Sequence, residues 1–109
     1  MTRFWYRVRD LDDARAFYTV KLGFNETQAH DGWVKLERGD TRIALAEGVP
    51  DEAGPVASID VADVKAEAEQ LRGEQVEIGI VLELHDEVRV VDIFDPDGNR
   101  LQLVQALRP

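Results

Sequence analysis

One pattern of predicted strands and helix occurs twice along this chain, and few folds accommodate such a repeat. Each half predicts a strand, a helix that begins after an aspartate, a glycine at the helix end and three further strands. Residues 8–11 (Val-Arg-Asp-Leu) correspond to residues 61–64 (Val-Ala-Asp-Val), and residues 40–45 correspond to residues 98–103. The chain is therefore predicted to be a single α+β domain of two βαβββ modules.

The joint between the modules is predicted at residues 47–55, which hold two prolines and two glycines. This places the modules at residues 1–48 and 55–109. In the first strand Phe4, Tyr6 and Val8 alternate with more polar residues, so these three are expected to face the core.

The end of the second module predicts a strand, a tight turn and a strand. The turn is Asp-Pro-Asp-Gly-Asn at residues 95–99, where proline presets φ and glycine tolerates a positive φ. Asp95 and Asp97 are expected to accept hydrogen bonds from local amides rather than to form an acid/base pair. After the turn, Leu101 and Leu103 are predicted to face the core, while Gln102 and the residues of the same parity face elsewhere.

Composition excludes several classes of protein. The formal net charge of −9 disfavours nucleic acid and membrane surfaces as partners. The absence of cysteine excludes disulfides and thiolate metal sites. No apolar run reaches the roughly 18 residues of a membrane helix, and the first residues show no signal peptide. A cytoplasmic location is the default expectation.

Three segments resemble the vicinal oxygen chelate superfamily, which groups glyoxalases, bleomycin resistance proteins and extradiol dioxygenases. They are residues 8–18 with 22–24 (Leu-Gly-Phe), residues 59–64 and residues 94–101. The resemblance implies that the two modules form a curled mixed sheet around a cavity, with the helices on the convex side. It also implies a small-molecule ligand and a homodimer, in which modules can be exchanged between chains.

In metal-using members of this superfamily, the first and last strands of each module carry ligands, usually His, Gln or Glu. Carried over onto this sequence, those positions are Arg3, Ala44, Val56 and Gln102. A guanidinium does not ligate a divalent cation, and one amide oxygen is far too few donors. We therefore expect no metal, no other cofactor and no catalytic residue at these positions. The two histidines, His30 and His85, fall in predicted loops.

The residues that the same strand parity directs into the implied cavity are the predicted ligand-binding set: Arg3, Trp5, Arg7, Arg42, Ser58, Asp60 and Gln102. One aromatic side chain among a few polar groups is typical of a small-molecule pocket, and arginines favour a carboxylate. In a second interpretation, Arg3 and Arg7 pair with Asp60 and neighbouring acids across the sheet and fill the cavity with charge. Trp5 is equally suited to an interface, and Trp33 has no clear face.

Three functions stay open at this point. The first is a metal-free binding protein for a small organic molecule, an antibiotic-like one among the candidates. Its arginines favour an anion, whereas the net charge favours a cation. The second is a glyoxalase-like lyase or isomerase, or a dioxygenase-type enzyme, with a non-standard site in which Asp60 is the titratable group. The third is an interaction domain with a vestigial cavity.

Overall fold

The computed structural model describes residues 3–107. The first half contains β1 (Phe4–Val8), α1 (Leu11–Ala16), β2 (Asn25–His30), β3 (Trp33–Arg38) and β4 (Thr41–Glu47). The second half contains β5 (Ala57–Asp60), α2 (Val64–Gly73), β6 (Glu77–Ile78), β7 (Leu82–Leu84), β8 (Val88–Phe94) and β9 (Arg100–Ala106). The predicted α+β fold of two βαβββ units is confirmed.

The strands form two mixed sheets. Sheet 1 has the order β1-β4-β3-β2, with β1 parallel to β4 and the other pairs antiparallel. Sheet 2 has the order β5-β9-β8-β6, with β5 parallel to β9 and with β7 also paired to β8. Each helix connects the first strand of its module to the strands that follow. The sheets are curled and not closed into a barrel.

Both sheets bury one face in a common core, as the alternation of residues predicts. Tyr6 and Val8 of β1 are almost completely buried, and so are Leu101 and Leu103 of β9. Residues of α1 and α2 belong to the same cluster of packed side chains, together with strand residues of both modules. The other face of each sheet is turned away from this core, and it carries the side chains discussed below.

The helices begin as predicted, each capped by an aspartate. Asp10 accepts a hydrogen bond from the backbone N–H of Asp13 at 3.0 Å, and Asp63 accepts one from Ala66 at 3.0 Å. Such a cap satisfies one of the amides that the first turn of a helix leaves unpaired. None of the helices in the described part of the chain is long and apolar enough to cross a bilayer.

The helix ends differ from each other. α1 continues as a π-helical turn at Phe17–Lys21 and stops before Gly23, whose φ of +73° is the expected left-handed stop. In α2 the predicted stop, Gly73, is instead the last helical residue. Gln75 adopts the positive φ of 66° that redirects the chain.

The second module has four strands after its helix rather than the predicted three, because two short strands, β6 and β7, lie where one was expected. Gly79 lies between them and donates a hydrogen bond to the carbonyl of Asp92 at 2.8 Å. A Cβ at Gly79 would lie 3.5 Å from the Asp92 Cβ, so the chain passes very close to β8 at this point. Glycine weakens a strand, and the following Ile80 is 81% exposed.

Candidate functional site

The face of sheet 1 that is turned away from the core, called here the open face of sheet 1, is built from cross-strand rows of side chains. The strand register aligns one row from β1 to β2, which consists of Trp5, Ala44, Lys35 and Gln28. The next row, closer to the carboxyl ends of β1 and β4, consists of Arg7, Ala46, Trp33 and His30. Residues opposite each other in a sheet lie close enough to interact, so each row is a continuous strip of surface.

Aromatic side chains form a series across this face. The ring centroids of Trp5 and Trp33 are 5.3 Å apart with an angle of 45° between the planes. The imidazole of His30 stacks on Trp33 at 3.9 Å and 13°. Trp5 is 50% exposed, although tryptophan is usually well covered. A large aromatic surface is therefore open to a ligand.

The strand between the tryptophans provides a small side chain to each of these two rows. Ala44 and Ala46 of β4 lie between β1 and β3 in the two rows. Because neither methyl group extends far from the sheet, Trp5 and Trp33 meet above them. The small residues thus permit an aromatic contact between strands that are not neighbours.

Cationic side chains surround the aromatic series. The Nζ atom of Lys35 lies 5.6 Å from the centroid of the Trp33 ring, within range of a cation–π interaction. Arg42 Nε is 2.7 Å from a carboxylate oxygen of Glu37, its neighbour in the adjacent strand. Arg3 donates from Nη1 to the carbonyl of Ile43 at 3.2 Å.

The predicted residues of the second module lie on the corresponding face of sheet 2. Ser58 is paired in register with Gln102, and Asp60 is paired with Val104. Ser58 and Asp60 are exposed. The amide Nε2 of Gln102 donates to Asp92 Oδ1 at 3.2 Å.

The seven predicted ligand-binding residues thus fall into two groups. Four share the open face of sheet 1 and three share one face of sheet 2, and no hydrogen bond or ion pair joins the groups within residues 3–107. The pairing of Arg3 and Arg7 with Asp60 is not found among those residues either. A cavity of about 430 Å³ lies elsewhere, between residues 51–56 and the turn at 98–100, with Phe94 on its wall.

The residues at the positions that the resemblance implies for metal ligands do not fit a metal site. Ala44 has no side-chain donor atom and is fully buried. Gln102 donates its amide N–H to Asp92. Within the described residues, no three side chains of His, Asp or Glu come together in a group that could hold a metal ion. A divalent cation needs several such ligands.

A buried polar network connects the two modules. Asp95 accepts hydrogen bonds from the Tyr18 hydroxyl at 2.8 Å and from three N–H groups of Asp97 and Asn99 at 2.9 Å. Burial raises the pKa of Asp95 above its usual 3.8, and these hydrogen bonds oppose the shift. Burial, followed by the Asp95 charge, raises the pKa of Tyr18 well above 10. The prediction that Asp95 accepts from local amides is confirmed, but its bond to the other module was not foreseen.

Sequence reasoning missed two of the three aromatic residues on the open face. Trp33 alternates with the buried Val34 and Leu36, a signal that could have assigned its face. The placement of His30 in a loop was wrong, since it is the last residue of β2 and pairs with Trp33. His85 does lie in a turn, with a φ of 53°.

The family described as Glyoxalase/Bleomycin resistance protein/Dioxygenase superfamily matches residues 1–103 of the chain. No curated protein sequence matches it.

Solved structures share the fold at low sequence identity. A bleomycin resistance determinant encoded on the transposon Tn5 has a TM-score of 0.80 at 22% identity, covering 97% of both chains. A fosfomycin resistance protein from Listeria monocytogenes, complexed with Mn(II) and sulfate, has a TM-score of 0.80 at 16% identity, covering 97% of this chain and 89% of that one. An antibiotic-binding protein from a Streptomyces species has a TM-score of 0.74 at 22% identity, covering 95% and 93%.

Proposed function

The chain belongs to the glyoxalase/bleomycin resistance protein/dioxygenase superfamily, and on that premise we propose that it binds a small aromatic organic molecule on the open face of sheet 1 without using a metal ion. The observation that carries this proposal is the series of Trp5, Trp33 and His30, in which Trp5 and His30 are exposed and Trp33 is partly buried. Aromatic rings bury a large area for little loss of side-chain freedom, and stacked pairs contribute about 0.5–1.5 kcal/mol beyond the area that they bury.

The names of two structural relatives are consistent with a binding role. One is a bleomycin resistance determinant and another an antibiotic-binding protein. Members of one fold carry out many reactions, so these names support the proposal only as analogies. They are analogies for the capture of an antibiotic-like molecule, whereas the fosfomycin resistance protein complexed with Mn(II) is an analogy for the enzyme alternative.

The enzyme alternative receives less support from the contacts. Its single titratable candidate, Asp60, is an exposed strand residue paired with Val104. A general acid or base acts on a substrate held beside it, and Asp60 does not line the cavity of about 430 Å³.

The binding proposal is tested by following the indole N–H signals in proton–nitrogen correlation spectra. The chain has two tryptophans, and both are in the aromatic series, so these signals report on this face alone. Neutral naphthylmethanol is expected to shift both signals, and Trp5→Ala is expected to weaken binding roughly three- to ten-fold because one stacking contact is lost. Val20→Ala, at a 77% exposed site in the π-helical turn, is the matched control. Unmoved indole signals at millimolar probe would contradict the proposal.

Metal independence is tested separately by metal analysis and by thermal unfolding with Ni²⁺, Zn²⁺ or Mn²⁺. We expect no stoichiometric metal and no rise in Tm. A metal ion that bound only the folded state would raise stability by mass action, so an unchanged Tm indicates that none binds. One metal per chain would refute this part of the proposal and favour the enzyme.

We also propose that the protein is a homodimer. Leu82 and Leu84 of β7 are 52% and 45% exposed, and Ile80 beside them is 81% exposed. Together they form an apolar edge of the kind that partners cover. Light scattering is expected to give twice the 12.3 kDa chain mass, and Leu82→Glu is expected to shift the population toward monomer. A monomeric wild type at high concentration would contradict the proposal.

A further inference from the structure

The open face of sheet 1 is positively charged on a protein that is strongly acidic. In the part of the chain that the structure describes, its charged side chains are one carboxylate, Glu37, and four cations, which are Arg3, Arg7, Lys35 and Arg42. The whole chain has a formal net charge of −9. The charge of this face therefore opposes that of the molecule, and it attracts an anion.

Arg7 is the arginine of this face whose guanidinium donors are all free within residues 3–107. Among residues 3–107, its guanidinium makes no hydrogen bond or ion pair, whereas Arg42 is held by Glu37 and Arg3 by a carbonyl oxygen. The Arg7 stem lies over Gly48, with its Cδ 3.4 Å from where a Gly48 Cβ would be. The absence of a side chain at residue 48 gives the arginine its space.

The strand register brings Arg7 and the aromatic surface into one row. Arg7 and Trp33 are both register neighbours of Ala46, one on each side of it. Two strand spacings amount to about 10 Å, which an arginine side chain and a substituted aromatic ring can span together. Ala46 is too small to separate them.

We propose that the ligand of this face is a planar aromatic anion, whose ring stacks on Trp5 and Trp33 while its carboxylate or sulfonate is bound by Arg7. The inference rests on the binding function proposed above and adds the chemical class of the ligand. A guanidinium presents two parallel N–H donors to such a group, and a charge-assisted bond is about twice as strong as a neutral one. Arg7 is thus the residue that determines specificity.

The test compares three probes of the same shape but different charge: naphthoate, naphthylmethanol and naphthylmethylammonium. Their affinities are measured from the two indole N–H signals. We expect naphthoate to bind about ten-fold more tightly than the neutral alcohol, and the cation to bind most weakly. Arg7→Gln is expected to abolish the preference for naphthoate while leaving the affinity for the alcohol within about two-fold.

Arg72→Gln is the matched control, because Arg72 is an exposed arginine on α2 paired with Glu69. It is expected to retain the preference for the anion. Arg7→Lys keeps the charge without the fork and is expected to retain part of the preference. Arg7→Lys also takes the place of Arg7→Gln in the test if the glutamine variant does not fold.

The outcomes separate the two proposals. Equal binding of all three probes, tighter binding of the cation, or an unchanged preference in Arg7→Gln would overturn the inference and leave the binding function intact. If none of the probes moves the indole signals, the binding function itself fails, and the inference fails with it.

Discussion

Replacement of Tyr18 by phenylalanine should destabilise the protein in a way that depends on pH. The Tyr18 hydroxyl donates to Asp95 Oδ2 at 2.8 Å, and both residues are almost completely buried. The ring contacts with Phe17 and Phe24, at centroid distances of 5.4 and 5.7 Å, survive the substitution. Tyr18→Phe therefore removes one hydrogen bond to a buried carboxylate and little else.

The loss of stability in Tyr18→Phe can be calculated from that single hydrogen bond. A hydrogen bond to a charged group contributes about 1.5–3 kcal/mol, so a loss of about 2 kcal/mol is expected at neutral pH. With an unfolding entropy of about 2.1 cal/mol/K per residue, the 109-residue chain should lose about 9 °C in Tm.

The pH dependence follows from the pKa of Asp95, which burial raises above 3.8 in the folded protein. A raised carboxyl pKa contributes stability that is full below the unfolded pKa and is lost as pH rises through the folded pKa. The Tyr18 hydroxyl favours the anion, so its removal raises this pKa further. The loss of stability in Tyr18→Phe should fall toward about 1 kcal/mol as the pH is lowered through the folded pKa of Asp95, because the hydroxyl then bonds a neutral carboxyl.

Tyr6→Phe is the matched control, measured by urea unfolding at neutral pH and near pH 4. The Tyr6 hydroxyl donates to the carbonyl of Arg100 at 2.8 Å and accepts from the N–H of Ala57 at 2.9 Å. Both partners are neutral, so the cost of this variant should not change between the two pH values. A cost for Tyr18→Phe below about 0.5 kcal/mol at neutral pH, or one equally insensitive to pH, would refute the role assigned to the Asp95 charge.

Two further predictions concern the tyrosines and the glycines. The chain contains two tyrosines. Burial raises the pKa of Tyr6 to about 12 and that of Tyr18 well above 10. No tyrosinate absorbance should therefore appear near pH 10 before the protein unfolds. Stability should decline from pH 10 upward, because both pKa values are raised in the folded state, and a normal titration midpoint near 10 would contradict this. Gly98→Ala should lower the free energy of unfolding by about 1 kcal/mol, because Gly98 has a φ of +85° even though open space surrounds it. Gly73→Ala, at the end of α2, should instead raise the free energy of unfolding by about 0.5 kcal/mol. Chemical denaturation measures both, and equal effects would contradict the conformational explanation.

The sequence predicted the fold well because the repeated module uses one parity for the core. Phe4, Tyr6 and Val8 alternate with Trp5 and Arg7, and the burial of this parity follows a period of two that can be read without knowledge of the rest of the chain. The helix caps at Asp10 and Asp63 are local features and were equally predictable. Interactions between residues close in the chain thus carried most of the correct predictions.

The site was only partly predictable, because it depends on register. The stacking of His30 on Trp33 requires the pairing of β2 with β3, and this pairing contains an irregularity between Glu26 and Gln28 that alternation does not reveal. The bond between Tyr18 and Asp95 joins residues 77 positions apart in the chain. No local pattern encodes either contact.

The divergence of the two modules explains why the overall charge misleads about the ligand. Of the 22 acidic residues in the chain, the described part places one, Glu37, on the open face of sheet 1. In both modules the fold constrains the strand residues that face the core. The alternate residues, which face away from the core, are free to differ between the modules. In sheet 1 that parity carries tryptophans and mostly cations. In the described residues of sheet 2 it carries three carboxylates, Asp60, Glu77 and Asp92, against one cation, Arg100. The charge that a ligand meets is therefore set by one face of one module, and a cationic face on an acidic protein follows without contradiction.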